Sequence, residues 1–503
     1  MSTRLDSSNY LGPTVWWRNL SLQWPIGLLV AGLIPFLLPI ETSPATLAAF
    51  ALVILGLVVL ARSWLIAALP VLATIGPHCL PIAAFGVSIF GFRLLLMLVA
   101  VFSTPLTTRA KWWYNPVARW AIFFGAFWLL YALLSLFWAP NLGRGLGEVV
   151  IIVFGFALIL ALLSLEAYRP DNLDKLRFGW LIAFLLAAVV AWIEILTDQH
   201  LPTPRAEHNI DYFADSKIVS TLSHTSNFGG FLILVIPFLM WSMEQTKGVA
   251  KLAYITLIGA VGHLMFYTAS RMGLLGLIAQ LVVYVTILNR RWYAVLLLAL
   301  GGLVAFGYWS YVASHGEFAM ARKLSNVYET GTDTSMDHRV ALTLNGLYMV
   351  YKTAGRGVGA AGFEENISGE DLLVPLPILR FGARWNAHNF WIEILSQYGV
   401  LPFSAFVALL GWAGLLGWRA QRRPGDLGPV AGRSLLVALV GYVFYGAAGG
   451  TPMEQPTHWM FLGSIIVLAA FLHDELGSKS AAQASMPPPP RRASLAGQSA
   501  GPP

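Results

Sequence analysis

Long apolar segments alternate with short polar ones along most of this chain. Runs of about 20 apolar residues, enough to cross a hydrocarbon core of about 30 Å, recur throughout it. The pattern therefore predicts an all-α polytopic membrane protein with about 14 transmembrane helices. The predicted spans are residues 24–40, 45–61, 64–85, 86–103, 117–138, 146–166, 178–197, 228–243, 250–269, 272–289, 293–312, 389–418, 433–450 and 457–473. Pro70, Pro77 and Pro81 can break the third span or make it re-entrant.

Basic residues fall in every second connecting segment, as expected for short cytoplasmic loops. The segments rich in Lys and Arg include those around Arg62, Arg109, Arg177, Arg290 and Arg422. The short loops between them carry almost no basic residues. We therefore predict an even number of spans with both termini in the cytoplasm.

Two longer polar segments, residues 198–227 and 313–387, are predicted to face the other side. The second is too long for a plain connection and indicates function. Within it Val340, Leu344, Leu347 and Tyr351 have the spacing of an amphipathic helix. The predicted organisation is a cytoplasmic segment (1–23), eleven spans (24–312), a periplasmic catalytic loop (313–387), three spans (389–473) and a disordered Pro-rich tail (474–503).

Composition agrees with this organisation. Of 503 residues, 57% are hydrophobic and 11% charged, with a mean hydropathy of +0.66, whereas a soluble domain carries about 25% charged residues. The net charge of +7 is spread between the spans, so membrane topology explains it better than nucleic-acid binding. The single cysteine, Cys79, excludes an internal disulfide framework and a cysteine-based zinc site.

The most informative junction is where the second long loop enters the twelfth predicted span, at His388 and Asn389. An imidazole titrates near neutral pH and can take a proton from a hydroxyl nucleophile. The alternative is an interfacial histidine that only anchors or caps the helix. For an isolated histidine that alternative is favoured, but two upstream arginines change the balance.

Arg271 lies at a span boundary and Arg339 opens the predicted loop helix. Guanidinium groups suit phosphate because they donate paired hydrogen bonds and keep their charge. The alternatives are headgroup contacts and, for Arg339, an ion pair with Asp337.

Two further candidates are open to two interpretations. Arg93 lies inside the fourth predicted span, where a charge suggests either function or a structural pair, here with Glu148 or Glu194. The backbone amides of Gly357-Val-Gly359 can approach a phosphate, although glycines after a helix are more often turn residues.

The sequence has no Walker A motif, no Asp-x-Asp pair and no His/Cys/Glu group with metal-ligand spacing. We therefore expect chemistry without a metal or other cofactor. Arginines would then neutralise the charge of a leaving group.

These elements resemble the superfamily of O-antigen ligases and O-antigen or exopolysaccharide polymerases. Ala387-His-Asn-Phe-Trp-Ile-Glu-Ile-Leu-Ser-Gln-Tyr-Gly399 is similar to its His-Asn-x-x-Leu…Gly signature, with Ile392 in the Leu place. Thr268-Ala-Ser-Arg-Met-Gly273 resembles its Ser-Arg-x-Gly element. Arg339 with Arg356-Gly-Val-Gly359 resembles its Arg…Gly-Val-Gly stretch. Ser220-Thr-Leu-Ser-His-Thr-Ser-Asn227 resembles its entry to a middle span.

The resemblance implies glycan transfer from undecaprenyl pyrophosphate at the periplasmic face of the bacterial inner membrane. Arg271 and Arg339 would hold the pyrophosphate, and His388 would orient or deprotonate an acceptor hydroxyl, on a growing glycan or on lipid A–core. Asn389, Arg93, Asn227, Gly357 and Gly359 are the predicted substrate-binding residues.

Polymerase and ligase use the same donor, so the sequence does not separate them. A transporter or flippase for the same lipid-linked sugars is a second hypothesis. Three features argue against it: the long loop of residues 313–387, which we call the outer loop, the lack of evident repeats, and polar residues gathered at one face rather than at the bilayer midplane. A peptidoglycan polymerase of the shape-and-elongation type is less favoured, because its acidic loop pattern is absent.

Overall fold

A computed structural model describes most of the central and C-terminal chain. The described residues are 62–75, 81–84, 87–90, 111–197, 199, 218–222, 224–288, 334–367, 372–374, 386–423, 425, 427–448 and 452–484. The first two predicted spans, the eleventh and Cys79 lie outside these ranges, as does most of the predicted tail.

The described chain is almost entirely helical. Its α-helices are α1 (Arg62–Ile75), α2 (Pro116–Ser135), α3 (Leu142–Ser164), α4 (Pro170–Thr197), α5 (Thr225–Gln245), α6 (Gly248–Tyr267), α7 (Arg271–Leu288), α8 (Thr334–Lys352), α9 (Gly362–Ile367), α10 (Phe390–Tyr398), α11 (Val400–Gln421), α12 (Leu427–Ala448) and α13 (Pro456–Ala484). Short 3₁₀ turns lie at Lys111–Tyr114, Ser220–Leu222 and Pro452–Glu454. The helix α13 continues past residue 473, where the last span was predicted to end.

Eight helices among the described residues are long and apolar enough to cross a membrane. They are α2, α3, α4, α5, α6, α11, α12 and α13, and α1 and α7 are shorter apolar helices. The chain is therefore a multi-pass membrane protein. Each of these eight falls on a predicted span. Among the described residues, the hydropathy pattern therefore predicted the positions of the long helices correctly.

Of the alternatives left open for residues 64–85, a continuous or a broken span, the structure shows the broken one. The helix α1 ends at Ile75, and strands β1 (Pro81–Ala84) and β2 (Val87–Phe90) form an antiparallel hairpin, with Pro81 opposite Phe90. The hairpin also occupies the start of the predicted span 86–103, so the all-α prediction needs this correction. Pro77 and Pro81 each remove a backbone donor and disfavour helix at the preceding residue. Both stand between α1 and the hairpin turn.

The predicted twelfth span, 389–418, is two helices rather than one. The helices α10 and α11 meet at Gly399, whose φ of +78° and ψ of −172° are accessible essentially only to glycine. A Cβ at this position would lie 2.2 Å from the carbonyl oxygen of Gly355 and 2.5 Å from that of Arg356. The turn that follows α8 therefore fits into the break, and Val400 N–H donates to the Gly355 carbonyl at 2.9 Å.

The outer loop has a small hydrophobic core of its own. Ala341, Leu342 and Met349 of α8 pack with Val358, Phe363, Ile367 and Ala387, and with Ile392 of α10. The helix predicted in this loop is confirmed as α8. The residues that suggested it, Val340, Leu344, Leu347 and Tyr351, lie on its exposed face.

The main core is centred on α5, which is buried along nearly its whole length. It packs against α4, α6, α7 and α12. A buried glutamine ties three of these helices together, because Gln280 Nε2 of α7 donates to the carbonyls of Ile233 at 3.1 Å and Val437 at 3.2 Å. Interhelical hydrogen bonds of this kind hold membrane helices where the hydrophobic effect does not.

The two ends of the bundle differ in chemistry. At one, the basic end, Arg433 pairs with Glu244, Arg177 with Asp174 at 3.0 Å, and Asn115 Nδ2 donates to Asp474 at 2.8 Å. At the other, the loop end, the outer loop meets the ends of α2, α3, α10 and α11. The helix ends that carry these basic residues therefore lie together at one end of the bundle, as the alternation of basic segments predicts.

The backbone at Gly399 gives a direct test of this junction. Gly399→Ala should destabilise the protein, because any residue other than glycine is strained in this backbone conformation. The strain costs on the order of 1–3 kcal/mol, and the contact of the new Cβ with Gly355 adds to it. The measurement is the apparent Tm of the purified protein in detergent. Gly411→Ala is the matched control, because Gly411 lies within α11 with no atom within 4 Å of a built Cβ. Equal Tm values for the two variants would contradict the assignment.

Candidate functional site

His388 stands at the last residue but one before α10, in a strained conformation. Its φ is +47°, a left-handed value that histidine adopts more readily than most residues. Its backbone N–H donates to Asn386 Oδ1 at 3.1 Å, and the residue is half-buried. The hydrogen bond holds the backbone in this conformation, so the Cα–Cβ bond of His388 leaves the chain in one fixed direction.

Asn389 caps the helix that follows. Its Oδ1 accepts from the N–H groups of Trp391 at 3.0 Å and Ile392 at 3.4 Å. Asparagine is among the best residues at this position because it satisfies donors that the first helical turn leaves without partners. The sequence analysis proposed Asn389 for substrate binding, and the cap is a second, structural role for its oxygen.

Two aromatic residues anchor the first turn of α10 in the bundle. Trp391 Nε1 donates to the Val443 carbonyl of α12 at 3.0 Å. Phe390 is fully buried, with its ring centroid 4.5 Å from that of His458 on α13. The segment that carries His388 is therefore attached to two membrane helices.

Arg271 is the first residue of α7. Ser270 caps this helix, because its Oγ accepts from Gly273 N–H at 3.2 Å and its own N–H donates to Thr268 Oγ1 at 3.2 Å. The Arg271 side chain is half-buried. A guanidinium beside a helix N-terminus adds to the positive potential there, which favours an anion.

Asn227 lies in the first turn of α5 and is 7% exposed. The start of α5 packs directly on the turn before Arg271, since a Cβ at Gly229 would lie 2.8 Å from Ser270 Cβ. His224 caps α5 by accepting from Ser226 N–H at 3.2 Å through Nδ1. The segments of Asn227 and Arg271 thus meet at the loop end.

One short segment of α12, Val443–Gly446, contacts α5, α7 and α10, the helices that begin near Asn227, Arg271 and His388. A built Cβ at Gly230 of α5 would lie 2.7 Å from Tyr445, one at Gly276 of α7 would lie 2.8 Å from Phe444, and one at Gly446 would lie 2.6 Å from Trp391 Nε1. These contacts lie three residues from Asn227, five from Arg271 and three from His388. The structure therefore brings the segments of these three predicted residues to the same end of the bundle.

Arg339 reaches the same region through α8. This helix packs against α10, where a Cβ at Gly346 would lie 2.4 Å from Ile392 Cγ2. Its neighbours Ala341 and Leu342 share the small outer core with Ala387, the residue before His388. Arg339 itself is half-buried.

The glycines at 357 and 359 serve the fold. Gly357 N–H donates to Thr353 Oγ1 at 3.0 Å, and the N–H groups of Val358 and Gly359 donate to the carbonyls of Ser396 at 2.8 Å and Gln397 at 2.9 Å. These three amides are engaged within the protein, which favours the turn interpretation over a phosphate cradle. Positive φ values of +86° and +93° explain why glycine is needed at 357 and 359.

Arg93 lies outside the described residues. Of its two suggested partners, Glu148 accepts from Tyr398 OH at 2.7 Å and from Ala361 N–H. Glu194 accepts from the N–H groups of Val219 at 3.0 Å and Ser220 at 2.8 Å. Both acids thus have roles in joining elements at the loop end.

A group of acidic residues beside α10 was not predicted from the sequence. It comprises Glu148, Glu364, Glu393 and Glu454, brought together from α3, α9, α10 and the 3₁₀ turn before α13. Arg144 pairs with Glu364 at 2.9 Å and with Glu365 at 3.5 Å. Since these residues are far apart in the chain, no local pattern could have shown that they meet.

Glu393 is the least satisfied member of the group. Among the residues that the structure describes, its buried Oε2 has no hydrogen-bond partner, and its Oε1 accepts only a long contact of 3.5 Å from Gln397. Burial, followed by repulsion from Glu148, Glu454 and Glu364, raises the pKa of this carboxyl well above its usual range. The neutral form of the Glu393 carboxyl, one turn after Asn389, is therefore favoured.

Comparison with known proteins agrees with this arrangement. Residues 255–407 match the O-antigen ligase family model. This segment contains Arg271, Arg339 and His388, and the resemblance to that family is confirmed. The chain is also 24% identical over 344 residues to the teichuronic acid biosynthesis protein TuaE of Bacillus subtilis (strain 168), covering 65% of this chain and 67% of that protein.

The family match extends from α6 to the first turns of α11. It includes the turn that heads α7, the outer loop and the whole of α10. Asn227, Glu148 and Glu454 lie outside it, although they meet the matched segment in space.

The raised pKa of Glu393 gives a pH-dependent prediction. A carboxyl whose folded pKa is raised stabilises the fold fully only below its unfolded pKa of about 4.3, and that stability is lost as pH rises towards the folded value. Glu393→Gln removes the ionisation but keeps the shape. We expect the Tm advantage of this variant over the native protein to grow as pH rises above about 4.3, the pKa of an unperturbed glutamate. Thermal unfolding in detergent measures it.

Parallel Tm curves for the native protein and Glu393→Gln would contradict the neutral-acid assignment.

Two substitutions separate the roles of Asn389. Asn389→Asp keeps the capping oxygen and loses the amide N–H₂ group, whereas Asn389→Ala loses both and should cost about 1 kcal/mol of stability. If Asn389 acts only as a cap, the aspartate variant keeps the native Tm and the native catalytic rate. A native Tm with a lowered rate would instead show that the amide group contacts substrate.

Proposed function

We propose that this protein transfers a glycan from undecaprenyl pyrophosphate to a sugar hydroxyl at the periplasmic face of the bacterial inner membrane. The observation that carries the proposal is the convergence of the His388, Arg271 and Asn227 segments on one turn of α12, at the end of the bundle where the outer loop packs. The family match, which describes O-antigen ligase, supports a polysaccharide ligase or polymerase. No metal or other cofactor takes part.

Arg271 and Arg339 bind the pyrophosphate of the donor. Guanidinium groups keep their charge and donate paired hydrogen bonds to phosphate oxygens. Arg271 lies at the capped N-terminus of α7, where the positive end of the helix dipole favours the same anion. Both arginines neutralise the charge that grows on the leaving group as its bond to the sugar breaks.

His388 acts as the general base. It removes the proton of the acceptor hydroxyl while that oxygen forms a bond to the anomeric carbon of the donor sugar. The bond between the anomeric carbon and the pyrophosphate oxygen breaks, and undecaprenyl pyrophosphate leaves with the electron pair. The fixed backbone at His388 favours this role, because a positioned base needs one orientation.

The position of the site suits a lipid-linked donor. The site lies where membrane helices end, so the pyrophosphate can sit at the boundary while the polyprenyl chain stays in the bilayer. A transporter instead binds its cargo near the midplane, at the interface of repeats. The arrangement therefore favours transfer over transport.

Loss of the base should remove most of the activity. We expect His388→Ala to lower the rate of undecaprenyl pyrophosphate release by at least about 100-fold, within the usual contribution of a general base. The assay uses purified protein, lipid-linked donor and acceptor, with and without a chelator. His473→Ala is the control, because His473 lies on α13 beside Asp474 at the basic end, and it should keep the native rate.

The same assay tests the arginines. Arg271→Lys and Arg339→Lys keep the charge but lose the paired donors, so both should lower the rate with little change in Tm. Full activity of His388→Ala would refute the base assignment, and loss of activity on chelation would refute the metal-independent mechanism.

Polymerase and ligase remain to be separated. TuaE is named for teichuronic acid biosynthesis, and the matched family for O-antigen ligase. Gene deletion read on a polysaccharide gel distinguishes them: loss of the chain ladder indicates a polymerase, and free polymer on its lipid carrier indicates a ligase.

A further inference from the structure

The outer-loop helix α8 presents two different faces. One face is buried in the outer core, through His338, Ala341, Leu342, Asn345 and Met349. The opposite face carries a continuous apolar stripe of Val340, Leu344, Leu347 and Tyr351, which are 47%, 38%, 43% and 81% exposed. We call these four residues the outer stripe. An exposed stripe of this size needs a partner surface that is itself apolar.

The C-terminal end of α8 is fixed where membrane helices end. Tyr131 OH, near the end of α2, donates to the Arg356 carbonyl at 2.8 Å, and Trp138 Nε1 donates to the Gly357 carbonyl at 3.2 Å. Val400 N–H, at the start of α11, donates to the Gly355 carbonyl at 2.9 Å. The end of α8 therefore lies at the level of the membrane boundary.

The outer stripe continues onto the surface of α11. Gly355, one turn after Tyr351, lies against Val400, and a built Cβ there would be 3.3 Å from Val400 Cγ2. Val400 and Leu401 are 44% and 68% exposed at the start of this membrane-spanning helix. The apolar surface thus runs from the outer stripe to the first turn of a helix that is long and apolar enough to cross a membrane.

Two exposed cations flank the end of the outer stripe. Lys352 Nζ lies 4.9 Å from the ring centroid of Tyr348, and Arg356 Cζ lies 4.9 Å from that of Trp138. Aromatic rings and long basic side chains together are characteristic of the membrane–water interface, where the rings sit among headgroups and the cations reach phosphates. This composition favours a lipid surface over a protein partner.

We propose that α8 lies along the membrane surface, with the outer stripe among the acyl chains and Lys352 and Arg356 at the lipid phosphates. The helix has the properties of an interfacial amphipathic helix. It joins the outer loop to the bilayer along its length as well as at its ends. This placement does not depend on the proposed function.

Fluorescence quenching by lipids tests the placement. In a Cys79→Ala background, Leu344→Cys and Leu347→Cys carry an environment-sensitive fluorophore in the full-length protein. The protein is reconstituted in vesicles of phosphatidylglycerol and phosphatidylcholine with a shallow spin-labelled lipid. We expect a blue-shifted emission and at least about a twofold loss of intensity, because the stripe lies within the interface.

Asn366→Cys is the matched control, since Asn366 is an exposed polar residue of α9 in the same loop, and its label should be neither shifted nor quenched. Labels at 344 and 347 that behave like the one at 366 would overturn the proposal. Blue-shifted but unquenched labels would also overturn it, because they would show that protein covers the stripe.

A second arm tests the cations. The double substitution Lys352→Glu and Arg356→Glu should reduce quenching of the Leu344→Cys label in vesicles rich in phosphatidylglycerol, and much less in pure phosphatidylcholine. Equal quenching with and without the double substitution in the anionic vesicles would overturn the assignment of the cations to lipid phosphates.

Discussion

The loop end of this protein depends on how the last carbonyls of α10 find partners. A helix that ends at a membrane boundary has carbonyl groups that water reaches poorly, and each one left without a donor is costly. Here the N–H groups of Val358 and Gly359 donate to Ser396 and Gln397. The outer loop thus completes α10, and it does so only because Gly357, Gly359 and Gly399 take positive φ values.

This single contact determines where several functional elements lie. The turn at 355–359 is the continuation of α8, so docking it on α10 sets the position of the helix that carries Arg339. It also places the start of α11 against Gly355. On the other side, α12 supplies the wall against which α5, α7 and α10 are aligned. Gly276 and Gly446 permit close approach there, because a side chain at either would meet an aromatic residue.

The parts of this structure that were predicted from the sequence are those encoded by a local pattern of residues. Hydropathy located the eight long helices, and spacing located α8. The break at Gly399 was missed, because residues 389–418 read as one apolar run and the turn that enters the break is forty residues earlier. The hairpin after α1 was missed because the apolar composition of 81–90 suits lipid and strand equally. His388, Arg271 and Arg339 were proposed as site residues from their type and position and from the resemblance to a family, whereas Glu148, Glu393 and Glu454 meet only in the folded chain.

The surroundings of His388 show how a strained residue is held in place. Its left-handed backbone is not favoured by itself, and a loop would normally relax it. Asn386 binds its N–H, Asn389 caps the next turn, and Phe390 and Trp391 are packed among α12 and α13. Residues on both sides are therefore fixed before any substrate arrives. In the proposed mechanism, a base held by a capped and anchored helix would keep the same position through each reaction cycle, which is the preorganisation that a site on a long loop would otherwise lack.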